Sequence, residues 1–249
     1  MNKVNNFSPH IVITGASGGL GKEIALAFAR ANVLIGLHYS KNEKVVYELS
    51  RQITHKNANS YLIRADFSEK FNVKTFIDKI NSQKQKIDVL IINAGAVSEN
   101  ILLKTSENEW ERIMRINYKT PAKILGNLAD QLLAENCHVI IIGSHTGLKG
   151  KTGLAAYSAA KGALIGFAFD AAKKLAGKNI FVNVVLPGWL ETEMTRRMSA
   201  TDFKKNVSEN LLRRGTNTKE VAEFILSLTK MRNVSGQVFA LDSRPIVAL

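Results

Sequence analysis

Seven short apolar runs set the terms for this chain. They are HIVIT (10–14), VLIGLHY (33–39), SYLIRA (60–65), DVLIINA (88–94), HVIIIG (138–143), IFVNVVL (180–186) and QVFAL (237–241). Stretches of helical periodicity separate them, such as GKEIALAFARA, EKVVYELSRQITHK and KEVAEFILSLTKM. Continuously apolar strands are buried on both faces, and strands that alternate with helices run parallel. The alternation continues along all 249 residues without a linker, a low-complexity segment or a charge block. The expected architecture is therefore α/β: a single doubly wound domain over 1–249, with a seven-stranded parallel sheet flanked by helices. In such sheets ligands bind beyond the carboxyl ends of the strands. The loops after Thr14, Ala94, Gly143 and Leu186 are the places to look for chemistry.

Composition removes several alternatives. Hydrophobic residues make up 45% and charged residues 22%, ordinary for a soluble globular protein. No run approaches the roughly 18 apolar residues of a membrane span, so no membrane insertion is expected. The start, MNKVNNFSPHIVITG, passes almost directly into a strand pattern with no small-residue cleavage site, and a cytoplasmic location is the simplest expectation. The single cysteine, Cys137, excludes an intrachain disulfide and a cysteine-rich metal site, and no metal is expected. The net charge of +13 is compatible with an acidic partner. The lysines and arginines are scattered and no nucleic-acid-binding motif accompanies them, so a nucleic-acid partner is not expected.

The first loop, IVITGASGGLGKEIALAFA, reads as strand, glycine-rich turn and helix. Gly15, Gly18, Gly19 and Gly21 fall within seven residues. Glycines there allow a sharp turn and close backbone approach to a diphosphate, which the free N–H groups of the helix N-terminus then face. The spacing is G-x-x-x-G-x-G, and no G-K-[ST] follows, which excludes a P-loop. About 20 residues further on, an NAD site places an acidic residue on the adenosine ribose. Here the second strand ends in Tyr39, Ser40 and Lys41. No carboxylate stands there to repel a 2′-phosphate, and Lys41 is either a phosphate partner or a solvated loop lysine. NADP(H) is favoured over NAD(H).

Other polar residues sit where apolar ones are expected. In WERIMRINYKTPAKILGNLADQLL, Trp110, Met114, Pro121, Leu125, Leu128 and Leu132 follow helical spacing, and Asn117 falls on that stripe. A buried asparagine must be hydrogen-bonded, as a structural tie or as a site residue. Pro121, four residues on, has no N–H, so the Asn117 carbonyl loses its usual helix partner and is left to bind something else, such as a water. Ser144 stands at the carboxyl end of HVIIIG, as a turn residue or a site residue. In GLAAYSAAKGALIGF, Tyr157 and Lys161 lie four apart on one face of a helix otherwise made of small and apolar residues. Ala155, Ala156, Ala159, Ala160 and Gly162 point to close packing against a partner helix or a cofactor.

Together these pieces resemble the short-chain dehydrogenase/reductase family over essentially the whole chain. TGASGGLG resembles its cofactor motif, NAG (93–95) its fourth-strand motif, and PGWLETEM (187–194) the segment beside the nicotinamide. Asn117, Ser144, Tyr157 and Lys161 match its catalytic tetrad. The resemblance implies a Rossmann-type fold. It also implies cofactor contacts from Gly15, Ser17, Gly18, Gly19, Leu20, Gly21, Tyr39, Ser40, Lys41, Asp66, Phe67, Asn93, Ala94, Gly95, Tyr157, Lys161, Pro187, Gly188, Leu190 and Thr192. Within the family, TGASGGLG, VNVVLPGWLETEMT and VSGQVFALD are most similar to 3-oxoacyl-(acyl-carrier-protein) reductases. Three departures stand out. Gly18 replaces an arginine of many NADP-using relatives. The tail LDSRPIVAL replaces a V-N-G-G ending. Glu135 stands where relatives carry a basic residue for the carrier protein, while Lys178 keeps the other such position.

The resemblance implies a mechanism. Tyr157 donates a proton to a substrate ketone, and the Lys161 cation lowers the phenol pKa from about 10 toward neutrality. Ser144 donates to the substrate oxygen as charge develops, and Asn117 holds a water for proton supply. The expected substrate is a 3-oxoacyl thioester on acyl carrier protein. The alternative is another alcohol dehydrogenase of the family, acting on a CoA ester, sugar or small ketone. A catalytically silent scaffold is disfavoured by the complete tetrad. A substrate lid is expected over 190–215, and the family habit implies a homo-oligomer, tetramer or dimer.

Overall fold

The computed structural model describes residues 9–69, 73–129, 133–192, 195 and 200–244. The seven apolar runs are seven strands: β1 (His10–Ile13), β2 (Leu34–Tyr39), β3 (Asn59–Arg64), β4 (Ile87–Ile92), β5 (Leu133–Ile142), β6 (Phe181–Pro187) and β7 (Val238–Leu241). They form one sheet in the order β3-β2-β1-β4-β5-β6-β7, and every neighbouring pair is parallel. The expected fold class is the one observed.

Helices cover both faces. On one side lie α1 (Gly19–Phe28), α2 (Glu43–Thr54) and α9 (Thr218–Leu228), whose Ile24, Leu49 and Ile225 pack under β1 and β2. On the other lie α3 (Val73–Asn81), α5 (Thr120–Leu128) and α7 (Ala155–Leu175), whose Phe76, Leu125 and Leu164 pack beneath β4, β5 and β6. The remaining helical segments are α4 (Glu107–Met114), the short α6 (Thr146–Lys149) and α8 (Ala200–Val207). Strand order reverses between β1 and β4, so the loops after these two strands open a crevice at the carboxyl edge.

Two local features depart from a simple reading. β5 begins at Leu133, five residues before the apolar run. Its first half holds exposed Glu135 and Asn136, and Asn136 takes a left-handed φ of 64° where the register with β4 slips. Asparagine tolerates that conformation better than an apolar residue, so this half of the strand carries no apolar signal. The second is the segment Arg115–Lys119, which winds as a π-helical turn between α4 and α5. The Thr120 N–H bonds the Arg115 carbonyl, five residues back. Pro121 therefore follows a widened turn rather than an ordinary kink, and such turns recur at functional sites. Leu132, the last residue of the expected apolar stripe, lies outside the described residues.

Candidate active site

The glycine loop is shaped by contacts it makes with the β4 loop. Gly15 has φ 68°, and a Cβ there would lie 2.8 Å from Ala94 Cα. A Cβ on Gly21 would run into the Gly15 carbonyl oxygen. A Cβ on Gly19 would lie 2.8 Å from Thr192 Cγ2, so the loop after β6 closes directly over the start of α1. Gly18 differs, because a Cβ there meets nothing nearer than the Gly15 oxygen at 3.5 Å. The chain itself does not need a glycine at that position. Gly18 is also the N-cap of α1, no side chain caps the helix, and its first turn holds no acid. The N–H groups at this terminus suit the diphosphate of a dinucleotide, which they would hold together with the loop backbone at Ser17 and Leu20.

Several expected cofactor residues support the loops with their side chains. Asn93 Nδ2 donates to the Thr14 and Gly15 carbonyls at 3.0 and 3.1 Å. Thr14 Oγ1 accepts from the backbone of Asn93 and Ala94 at 2.9 and 3.0 Å. Leu20, Phe67 and Leu190 are buried. Pro187 and Gly188 end β6 against Thr216 and Asp242, where a Cβ on Gly188 would collide with both.

His38 is a support that the sequence reading overlooked. Its Nδ1 accepts from the Gly15 N–H at 2.9 Å, and its Nε2 donates to the Ala65 carbonyl at 3.0 Å. The imidazole stacks on Phe67, with centroids 4.2 Å apart. Burial lowers its pKa to about 4, so the ring stays neutral and Nδ1 stays an acceptor. It joins the diphosphate loop to the loop after β3. The available signal was a histidine inside an otherwise apolar strand.

At the end of β2 the electrostatics differ from the sequence reading. The Lys41 ammonium is 83% exposed and lies 3.9 Å from Asp66, brought over from the loop after β3. Ser40 and Ser68 also hydrogen-bond Asp66. The Tyr39 hydroxyl donates to Glu43 at 3.0 Å. Two carboxylates thus stand at the end of β2: Glu43 from the adjoining α2, and Asp66, which the linear sequence places far away, from the loop after β3.

The four expected catalytic residues converge beyond β4 and β5. Asn117 is wholly buried in the π-turn, where its Nδ2 donates to the Ala96 and Ile113 carbonyls at 2.8 and 3.0 Å. Its Oδ1 accepts from the Ala96 N–H at 3.2 Å. Asn117 is therefore a structural tie through its side chain, whatever its carbonyl binds. Gly95 makes this approach possible, since a Cβ there would sit 2.8 Å from Asn117 Oδ1 and 3.7 Å from Lys161 Nζ. Ser144 Oγ is 2.9 Å from Thr146 Oγ1 and hydrogen-bonds the Tyr157 phenol. Lys161 is 3% exposed, and its ammonium donates to the Ile142 carbonyl at 2.7 Å, 5.8 Å from the Tyr157 ring centroid.

Burial, more than the neighbouring cation, sets the acidities in this protein. It pushes the Tyr157 phenol up to about 12, against the Ser144 hydrogen bond, and pushes Lys161 down to about 8. The expected lowering of the tyrosine by Lys161 is not found here, because the ammonium points at the end of β5 rather than at the phenol oxygen. The small residues of α7 have an explanation within the chain. A Cβ on Gly147 of α6 would lie 2.9 Å from the Gly162 nitrogen, and one on Gly162 would lie 3.0 Å from the Gly147 carbonyl. The two helices touch backbone to backbone beside Lys161.

The expected lid falls partly outside the described residues. Within the described part, Lys151 donates to Asn206 of α8 at 2.6 Å and lies 4.3 Å from the centre of the Trp189 ring. Among the described residues no three His, Cys, Asp or Glu side chains cluster to hold a metal, and no helix is long and apolar enough to cross a membrane.

Comparison with known proteins agrees with this geometry. The short chain dehydrogenase family model matches residues 9–202. The 3-oxoacyl-(acyl-carrier-protein) reductase FabG of Staphylococcus epidermidis is 31% identical over 235 residues, covering 93% of this chain and 96% of that protein. The protein of the same name from Buchnera aphidicola is 30% identical, covering 93% of this chain and 94% of that one. Among solved structures, a short chain dehydrogenase from Burkholderia cenocepacia in complex with NADP superposes with a TM-score of 0.89 at 22% identity, covering 96% and 99% of the two chains. The angucycline C-6 ketoreductase LanV with bound NADP reaches 0.89 at 19%, covering 96% of each chain. A glycine-rich loop opening α1, a converged Asn-Ser-Tyr-Lys set and a family match over most of its length place this chain in the short-chain dehydrogenase family of oxidoreductases.

Proposed function

We propose that this protein is an NADPH-dependent reductase of 3-oxoacyl thioesters, yielding the 3-hydroxyacyl thioester in fatty-acid or specialised lipid synthesis. The observation that carries the reading is the Tyr157 phenol, hydrogen-bonded to Ser144 and kept protonated by burial. A ketone that takes hydride at carbon needs a proton at oxygen, and a protonated phenol beside a second hydroxyl meets that need. A nicotinamide bound in the crevice supplies the hydride. Ser144 donates to the substrate oxygen and steadies the charge that develops there. Tyr157 delivers the proton. Lys161, one turn further along α7, holds a positive charge near the phenolate that remains. The similarity to proteins named 3-oxoacyl-(acyl-carrier-protein) reductase supports a thioester substrate.

NADPH is the preferred cofactor in this reading. Its support is Lys41, exposed at the end of β2, although Asp66 beside it removes part of that charge. The reading places a homodimer or homotetramer in the cytoplasm, with acyl carrier protein as partner. One observation favours a second reading, in which the thioester is carried on CoA or the substrate is a small ketone or sugar. Glu135 is exposed and accepts from Asn179 at 3.3 Å, so an acidic group stands on the face where a basic one would meet an acidic carrier.

The test is a direct assay. Purified protein is given NADPH or NADH with acetoacetyl thioesters of carrier protein and of CoA, and with simple ketones. The expected result is turnover of a thioester with NADPH. A good rate with a free ketone and none with either thioester overturns the leading reading. The Tyr157→Phe variant is expected to lose reduction while binding NADPH nearly as before, and full turnover by it would sink the catalytic assignment.

A further inference from the structure

Beside the catalytic serine lies a second feature, a cavity of about 280 Å³. His145, Thr146, Lys149, Lys151, Glu209 and Arg244 line it. We propose that this cavity holds one anionic group, a carboxylate, carried by the substrate itself. The proposal rests on the reductase reading above and narrows its substrate class.

Charge is the first support. Lys149, Lys151 and Arg244 line the cavity with Glu209, and Asp242 backs Arg244, whose Nε donates to it at 2.6 Å. Positive charge remains in surplus with both carboxylates counted. The Lys151 ammonium is held in place, bonded to Asn206 and seated over Trp189. A cation fixed in this way loses little entropy on meeting an anion.

His145 adds a nearly buried wall. It is 7% exposed and its residue lines the cavity. Burial, and Arg244 after it, hold the His145 pKa below its usual value, so the ring adds no charge beside the lysines. An oxyanion meets the lysines against this wall.

Position makes this group part of the substrate rather than a separate ion. Thr146 lines the cavity, and its Oγ1 lies 2.9 Å from Ser144 Oγ. The anion therefore sits a few bonds from the ketone that Ser144 and Tyr157 address. That reach fits a carboxylate at the far end of a short acyl chain, whereas the phosphate of a phosphopantetheine arm lies many bonds further from the ketone.

A substrate pair differing in one charge tests this: the 3-oxoadipyl against the 3-oxohexanoyl thioester of N-acetylcysteamine. The wild type is expected to prefer the anionic member by about tenfold in kcat/KM, the worth of one charge-assisted hydrogen bond. Lys151→Met is expected to collapse the ratio, and Glu209→Gln to widen it. No preference, or a preference that Lys151→Met leaves intact, overturns the proposal. If no thioester or ketone is turned over at all, the reductase reading fails, and the cavity is judged by binding alone. Glutarate is then expected to shift the His145 ring resonances of the wild type but not of Lys151→Met. Identical spectra with and without glutarate reject the site.

Discussion

Replacing Lys161 by methionine isolates what it costs this fold to bury an ammonium beside its catalytic tyrosine. Burial takes the Lys161 pKa from 10.5 to about 8. At 1.36 kcal/mol per tenfold change, that corresponds to about 3 kcal/mol of destabilisation wherever the lysine is charged in both states. The unfolded chain keeps the proton up to about pH 10.5 and the folded chain only to about 8. Between these values the unfolded state binds more protons, so wild-type stability rises with pH across the window. Below pH 8 the cost is present in full. Methionine removes it but leaves the Ile142 carbonyl, now bonded at 2.7 Å, without its donor, a loss of about 1–3 kcal/mol. At pH 7 the two terms nearly cancel, and the variant is expected to equal the wild type or exceed it by up to about 2 kcal/mol. The informative quantity is how the difference changes with pH, because the lost hydrogen bond contributes equally throughout. Relative to wild type, the variant should lose about 3 kcal/mol between pH 8 and 10.5, or about 6–12 °C in melting temperature for a domain of this size. Paired urea or thermal melts from pH 7 to 10.5 measure it. A difference that stays constant over that range would refute the burial argument. Reduction of any ketone by the variant should be lost at every pH.

Four further substitutions test the cofactor crevice. Gly21→Ala drives a Cβ into the Gly15 carbonyl oxygen, so it should cost about 1–3 kcal/mol of stability along with NADPH binding; Gly18→Ala has room in the chain and should weaken NADPH binding while melting like the wild type. His38→Phe removes the acceptor of the Gly15 N–H and should raise KM for NADPH more than it lowers kcat, whereas unchanged steady-state constants would deny the strut a role. Lys41→Ala should lower kcat/KM for NADPH several-fold, by about the worth of an exposed ion pair, and leave NADH untouched; equal losses with both cofactors would remove the lysine from 2′-phosphate recognition.

The fold was legible because a buried parallel sheet writes itself into sequence as continuous apolar runs. All seven runs became strands in the expected sheet. The misreadings arose where backbone geometry departs from the regular period. Asn136 enters β5 through a left-handed residue and a register slip, so the strand begins without an apolar pattern. The π-turn at Arg115–Lys119 adds a residue to one helical turn, which periodicity counted from Trp110 to Pro121 does not reveal. The four expected catalytic residues were legible for a different reason. Each is a polar residue within, or at the end of, an otherwise apolar element.

What remained hidden were the contacts that hold the reacting groups in place, since the partners are distant in sequence. His38 reaches Gly15, Asn93 reaches Thr14, and Asn117 reaches Ala96, each across 21 residues or more. Asp66 comes to Lys41 from another strand and changes the charge that the second-strand terminus presents. The same long-range assembly decides the acid–base chemistry. Tyr157 and Lys161 alone suggest a phenol made acidic by its neighbour. The folded protein instead turns the lysine toward the Ile142 carbonyl and encloses the tyrosine, so the phenol keeps its proton. For reduction that is the required state, because the group must give up a proton only after charge has formed on the substrate oxygen. In the proposed reduction Lys161 would act on the phenolate that remains, and its own lowered pKa would let it pass a proton on near neutral pH. In that reading the pair is a stored proton with a resupply route, a property that neither side chain has outside this fold.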